Sequence, residues 1–294
     1  MRVAVTTPTG NIGSVVAGRL LETDAEVVLL VRDPSKVDHL RSRGAEVRQG
    51  SLADAAFVTE ATRKADALFW LTPATWVDDF SALQRSIGRV GAAAVAANRV
   101  PKVVHLSSIG AHHPSGTGPV AGLGAIEKMF DDAVDNVVHL RPASFMENFL
   151  AHAGSIRQAG SIFLPIDSDR VLPMVATRDI GEAAARWLLD EGWSGRHHAE
   201  IHGPVDLSHV AAAAAISEGI GREVRYVQVP LEAARQAMLG LGMPAGSVEV
   251  LLELYDGINK GLLERIEPRS ARTTTPTTLQ AWSRRALKPL VDEP

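Results

Sequence analysis

The chain is expected to fold as an α/β protein, a doubly wound parallel sheet joined to a smaller α/β C-terminal lobe. Three observations predict this. Short apolar runs rich in valine and leucine alternate with longer amphipathic stretches up to Leu140, the pattern of a parallel sheet covered by helices on both faces. The first run, Val3-Ala4-Val5, passes through a glycine-bearing turn directly into a helical stretch. With 294 residues the chain can bury a large core and carry an appended lobe.

Strands are expected at residues 2–6, 27–31, 46–48, 67–71, 103–107 and 137–140, where β-branched and aromatic residues cluster between turn-forming segments. Helices are expected between them at 35–43, 53–64, 80–98 and 125–133. The alternation weakens near 145–148, so residues 1–150 form one unit and 151–294 the lobe, with 170–190 returning to the large sheet. In the second part strands are expected at 171–175, 199–202 and 223–229, and helices at 178–189, 208–220, 231–263 with a break at 240–246, and 278–286. Proline, threonine and arginine crowd 268–276, which reads as a loop.

The turn after the first strand reads Thr6-Thr7-Pro8-Thr9-Gly10-Asn11-Ile12-Gly13. The first amides of a helix have no intrahelical partner, and aligned peptide dipoles favour negative charge beside them, so such a turn suits phosphate. Gly10 lets backbone approach a pyrophosphate and Gly13 lets helix pack on strand. Two glycines three apart also occur as plain turn chemistry; the strand before and the helix after favour a dinucleotide site. Arg32 stands at the tip of the second strand, where such a fold reads the adenosine ribose, and arginine there suits the 2'-phosphate of NADP. Lys36, one turn on, adds a second positive charge. NADP(H) is therefore favoured over NAD(H), for which Asp33 offers the alternative contact to a ribose hydroxyl. The bland reading of 32–36 is a capped helix start with two solvated cations.

Ligands of doubly wound sheets lie beyond the carboxyl ends of the strands. Ser51 and Leu52 are placed to border the adenine, Leu71, Thr72 and Pro73 the adenine-side ribose and pyrophosphate, and Ser107 with Ser108 follows the fifth strand. Small polar residues at these places also cap helices in most folds.

The segment Leu140-Arg141-Pro142-Ala143-Ser144-Phe145-Met146-Glu147-Asn148-Phe149 resembles a signature of the NmrA-like branch of the atypical short-chain dehydrogenase/reductase superfamily. Val104-His105-Leu106-Ser107-Ser108-Ile109-Gly110-Ala111 is similar to that family's fifth strand and serine pair. Thr177-Arg178-Asp179-Ile180-Gly181 and Gly221-Arg222-Glu223-Val224-Arg225-Tyr226 resemble two later family segments, so the likeness extends over almost the whole chain. It implies a Rossmann domain that binds NADP(H), a smaller lobe closing over a substrate cleft, and cofactor contacts from Pro142, Phe145 and Asn148; the signature places Glu147 and Asn148 by the nicotinamide, where one could instead satisfy buried backbone. Two departures stand out. Relatives usually carry glycine where this chain has Thr7, whose Cβ restricts backbone and phosphate approach. Short-chain reductases also donate a proton from a tyrosine with a lysine four residues later on the helix after the fifth strand. Here Gly122 aligns with that lysine, and the two tyrosines, Tyr226 and Tyr255, lie far along the chain.

Ser108 and His113 are the candidate catalytic groups, since histidine titrates in the useful range; a solvated loop pair is the plainer account of His112-His113. Trp76, His112, Met146 and His152 are candidate substrate contacts, with ordinary core as the alternative for the apolar ones. His197, His198 and His202 are read as strand-edge surface positions, and no metal site is expected. A net charge of -4 with mixed signs argues against nucleic acid and anionic membrane. No cysteine, no apolar stretch of bilayer length and a start without a basic, apolar leader point to a soluble cytoplasmic protein. The expected activity is reduction of a small aromatic or quinone-like metabolite. A non-catalytic NADP(H) sensor, and an isomerase or coupling enzyme using the same cleft, are the alternatives. Leu239, Leu251, Leu252 and Leu262 are available for a homodimer contact or for the parent domain.

Overall fold

The computed structural model describes residues 1–293. Its first part runs β1 (Arg2–Thr6), α1 (Asn11–Leu20), β2 (Glu26–Val31), a 3-10 turn at Pro34–Val37 leading into α2 (Asp38–Arg41), β3 (Glu46–Gln49), α3 (Ala55–Ala61), β4 (Ala67–Leu71), α4 (Phe80–Asn98), β5 (Lys102–Leu106), α5 (Pro119–Ala133) and β6 (Val137–Pro142). Then come β7 (Ser144–Phe145), a 3-10 stretch Met146–His152, α6 (Ala153–Ala159), β8 (Ser161–Leu164), β9 (Val171–Val175), α7 (Thr177–Leu189), β10 (Arg196–Ile201) and β11 (Asp206–Ser208). The chain ends with α8 (His209–Ile220), β12 (Arg225–Gln228), α9 (Leu231–Gly240), α10 (Ala245–Asn259), α11 (Leu279–Trp282) and, past a π-turn at Ser283–Leu287, α12 (Lys288–Asp292).

Seven parallel strands form one sheet in the order β10-β6-β5-β4-β1-β2-β3, a Rossmann-like fold. Strand order reverses between β1 and β4, which opens a crevice at their carboxyl ends. Alternation along the strands divides the core. Val3, Val5 and Leu29 face α1 and α7, whereas Ala4, Val28 and Trp70 face the side covered by α3, α4 and α5. α4 spans the predicted residues because both its ends are specified. The Asp79 carboxylate accepts from the Ala82 amide, and Arg99 closes the helix in the left-handed conformation at φ 52°.

Residues 170–190 do not add a strand to the large sheet. β9 pairs with β7 and β11 in a separate three-stranded sheet, where Met174 belongs to the core of the lobe. What returns is α7, packed along α1, and then β10, which pairs with β6. A third core gathers Ile156, Ile162, Ile216 and Trp282 behind the cleft. β7, β8, α6 and β11 went unpredicted because segments of two to seven residues carry too little periodicity. Leu252 packs inward from α10, while Leu239 on α9 is 38% exposed. Among the described residues no helix is long and apolar enough to cross a membrane.

β10 is an edge strand, yet the coil after α10 covers it. The His202 amide donates to the Thr273 carbonyl at 2.7 Å and the Thr275 amide returns to the His202 carbonyl at 2.8 Å. The Glu200 carboxylate accepts the Ile266 and Glu267 amides, and the His202 ring meets it at 3.0 Å. His202 is therefore fully buried, against the surface position expected for it, because this strap pairs with the strand end. His198 is 45% exposed.

His209 opens α8 with its ring near Phe149 and Tyr226, and is 5% exposed. Burial, with a smaller contribution from His152, pushes its pKa down from 6.5 to about 4. The unfolded chain thus takes up a proton near pH 6.5 that the folded chain refuses until about pH 4, and stability falls as pH drops through that window. His209→Phe keeps a ring in the site and removes the titration. Its urea midpoint is expected to vary less between pH 7 and pH 4 than that of the unmutated protein; an unchanged slope refutes the assignment.

Candidate functional site

A cleft of about 560 Å³ lies over the carboxyl ends of the strands. Its floor is the turn 7–12, where Gly10 in extended conformation precedes α1 and no side chain caps the helix. Asp54, Asp79, Ser208 and Thr278 cap α3, α4, α8 and α11, whereas α2, α5, α6, α7, α9, α10 and α12 start, like α1, without a side-chain cap; of these starts, that of α1 forms the floor of the cleft. The first amides of α1 are thus left to serve a ligand anion. Gly13 is buried beneath the turn, where a Cβ would stand 2.2 Å from the Thr7 carbonyl oxygen, so only glycine lets α1 sit this close. Arg32 lines the cleft where β2 ends, and its guanidinium has no hydrogen bond or ion pair among the described residues; the Gln49 amide holds its carbonyl at 3.3 Å. Asp33 is engaged elsewhere, accepting from the Ser35 amide at 3.1 Å and hydroxyl at 2.7 Å, and these hydrogen bonds hold its carboxyl below the usual range.

Of the residues singled out in the sequence, Thr7, Thr9, Gly10, Asn11 and Ile12 line the cleft from the turn. Arg32, Ser51, Leu71 and Pro73 line it from the ends of the next strands, and Phe145 and Asn148 from beyond β6. Others do not reach it. The Thr6 hydroxyl is buried, accepting from the Leu71 amide at 2.8 Å to tie β1 to β4. Thr72 accepts the Trp70 indole N–H at 3.0 Å, Ser107 and Pro142 are buried, and Lys36 is exposed outside the lining. Ser108, His112 and His113 sit on the loop after β5, outside the lining, with the two histidine rings 4.0 Å apart. Trp76 is stacked on Phe80 and 40% exposed, Met146 is 2% exposed in the core of the lobe, and His152 lies in the lobe. Leu52, also singled out in the sequence, lines it too, and Pro8, Leu30, Val31, Gly50, Ala53, Thr75, Ile87, Glu147 and Thr177 complete the lining. Glu147, expected beside the cofactor or on buried backbone, both lines the cleft and accepts the Thr177 backbone N–H; Thr177 sits in a family-like segment, but nothing in its spacing marks a wall of a cleft.

The loop after β5 is closed over by α10. The Gly116 amide donates to Glu253 at 2.7 Å, and Gly118, at φ 55°, lies where a Cβ would stand 2.2 Å from the Val250 carbonyl oxygen. At Gly122 a Cβ would meet the Gln84 amide. Tyr226 donates its hydroxyl to backbone carbonyls in the lobe, and its pKa is pushed up to about 12 by burial. Beneath this loop runs a polar ladder. His105, His139 and His198 are register partners on β5, β6 and β10, with the His105 and His139 Nδ1 atoms 3.0 Å apart and His139 Nε2 meeting the Asp131 carboxylate at 3.2 Å. Burial pushes the pKa of both His105 and His139 down. Arg141 grips Glu127 of α5 with two hydrogen bonds of 2.9 and 2.5 Å. Among the described residues no group of three or more histidines and carboxylates is arranged to hold a metal.

A model of the NmrA-like family matches residues 1–283. The chain belongs to the NmrA-like family. It is 32% identical to an NAD(P)H azoreductase of Xenophilus azovorans over 84% of each chain. It is also similar to the structure of an NADPH-dependent quinone oxidoreductase of Escherichia coli, at 25% identity and TM-score 0.78, covering 96% of this chain and 98% of that one. The structure of a Citrobacter sp. triphenylmethane reductase complexed with NADP(H) superposes with TM-score 0.83 at 21% identity, covering 97% and 99% of the two chains, a likeness of fold.

Thr7 in this turn lies in the left-handed region, with φ 50°. A β-branched residue there costs about 1 to 2 kcal/mol. Thr7→Gly removes that strain and adds back roughly 0.5 to 1 kcal/mol of unfolded-chain entropy. A net gain on the order of 1 kcal/mol is expected, read as a higher urea midpoint at unchanged slope.

Proposed function

We propose that this NmrA-like chain is an NADPH-dependent reductase of small planar conjugated acceptors, quinones or azo compounds, working without a tyrosine–lysine acid pair. One observation carries the reading: a single cleft holds both an uncapped helix N-terminus and, at the end of β2, a guanidinium free of partners among the described residues. Oriented amides suit a pyrophosphate, and Arg32 suits a further phosphate on the adenosine side. Gly10 carries no side chain between the turn and the cleft, and Gly13 lets α1 sit close beneath the turn. The names of the azoreductase and quinone oxidoreductase relatives support the acceptor class.

When bound, the nicotinamide supplies a hydride. The chain binds the phosphates, fixes the adenosine end through Arg32 and shields the rest with Leu71, Pro73 and Phe145. On the proposed alignment Gly122 takes the place of the lysine, and at Gly118, four residues earlier, a Cβ would stand 2.2 Å from the Val250 carbonyl oxygen of α10. An acceptor that delocalises the incoming electron pair has the least need of a strong acid at the moment of transfer. Ser108 and His113, on the loop after β5 beyond the cleft lining, are the proposed polar groups on the acceptor side, with Trp76, His112 and His152, also beyond the lining, as proposed contacts. A cysteine-free chain suits a reducing compartment such as the cytoplasm.

Incubation with NADPH and a panel of quinones and azo dyes is expected to give acceptor-dependent loss of nicotinamide absorbance. NADP+ is expected to form in stoichiometric proportion to the reduced acceptor, and NADPH deuterated at the transferred C4 position is expected to react more slowly where hydride transfer limits the rate; product formed without matching NADPH oxidation points to isomerisation or coupling. The missing acid pair favours one second reading, an NADP(H) sensor. NADPH binding without turnover of any acceptor selects it.

A further inference from the structure

Glu147 lines the cleft but spends both carboxylate oxygens on the protein. Oε2 accepts the Thr177 backbone N–H at 2.9 Å, and Oε1 accepts the Trp282 indole N–H at 3.0 Å. The two donors come from different parts of the fold. Thr177 begins α7, which packs along α1; at Gly181 a Cβ would stand 3.0 Å from the Ile12 carbonyl oxygen, so α7 touches the first turn of the helix proposed to meet the pyrophosphate. Trp282 is 1% exposed in the core of the lobe, in the C-terminal segment of the chain. Glu147 follows Phe145 by two residues and precedes Asn148, and both of these line the cleft. One carboxylate thus joins the phosphate end, the wall beyond β6 and the C-terminal segment.

We infer that Glu147 is a positioning residue that couples docking of the C-terminal segment, through Trp282, to dinucleotide affinity, by holding Phe145 and Asn148 in place against α7 and α1. The inference rests on the proposed NADPH site. Its chemistry is specific, because both partners are donors and only a group with two acceptors satisfies them. Glutamine offers one acceptor and one NH2, so whichever way its amide turns, an N–H faces an N–H. An unmet buried donor shifts the cleft wall, which a dinucleotide senses along its length.

The experiment measures NADPH affinity by calorimetry for the unmutated protein, Glu147→Gln, Trp282→Phe and the double variant. Glu147→Gln is expected to weaken binding about tenfold or more, and Trp282→Phe a few-fold. In the double variant the glutamine oxygen serves Thr177 and its NH2 no longer faces a donor. Affinity is therefore expected to recover to within about twofold of Trp282→Phe alone, and where turnover is followed KM for NADPH rises by a larger factor in Glu147→Gln than kcat falls. Unchanged affinity in Glu147→Gln, or a double variant weaker than either single one, overturns the inference and leaves the NADPH site standing. Failure of the unmutated protein to bind NADPH overturns both.

Discussion

Glu127→Ala is expected to destabilise the fold by about 3 to 5 kcal/mol, the range for removing one partner of a buried ion pair. Glu127 is 4% exposed, and the Arg141 side chain that grips it is 12% exposed. Burial acts to raise the carboxyl pKa, and Arg141, with His198 at 3.4 Å, more than reverses this, holding it well below the usual range. Truncation leaves the guanidinium charged and unmet beneath the loop after β5. The cost is the stranded charge more than the missing contact, which a double variant can separate. Glu127→Leu with Arg141→Met replaces the pair by apolar groups of similar bulk and is expected to recover most of the loss, since such pairs often exchange for hydrophobic residues at little cost. A double variant as unstable as Glu127→Ala shows instead that the hydrogen-bond geometry is required. The sign with pH follows from the lowered carboxyl pKa. The stabilisation is complete above the unfolded value of 4.5 and is lost as pH falls through the lower folded value. The unmutated protein therefore loses stability in strong acid, and Glu127→Ala loses less over that range.

The large sheet was legible because its signals are local. β1 to β6 are apolar runs set between turns, and the burial of Val3, Val5 and Leu29 on one face with Ala4 and Val28 on the other is the alternation itself. The turn 7–13 and Arg32 were legible for the same reason, since a strand, a glycine turn and a helix start occur in direct succession. What stayed hidden depends on partners distant along the chain. His202 reads as an edge position until the strap around Thr273 to Thr275 covers it. Ser107 reads as a polar residue at a strand end but is buried. Glu147 is one acid in a family-like segment, and its part in joining α7 to the C-terminal segment rests on contacts 30 and 135 residues away. Nor does the sequence give the clearance at Gly118, which is set by the α10 backbone.

Arg32→Asp is expected to weaken NADPH binding about ten- to a hundred-and-fifty-fold while changing NADH binding far less. The estimate is the loss of one charge-assisted contact, about 1.5 to 3 kcal/mol at 1.36 kcal/mol per tenfold. The geometry favours a phosphate over a hydroxyl at this place. Arg32 lines the cleft and its guanidinium meets no carboxylate among the described residues, whereas Asp33 is already held by Ser35 and is withdrawn from a ribose. Lys36, exposed on the turn that follows, adds positive charge without lining the cleft. The contact faces solvent, so the difference between the two nucleotides should also shrink as salt rises, with screening over about 10 Å at 0.1 M. Parallel titrations of NADPH and NADH at low and moderate salt read both effects. Equal losses for the two nucleotides mean that Arg32 serves the fold or the adenine ring, and the preference for NADP(H) then has no basis in this residue.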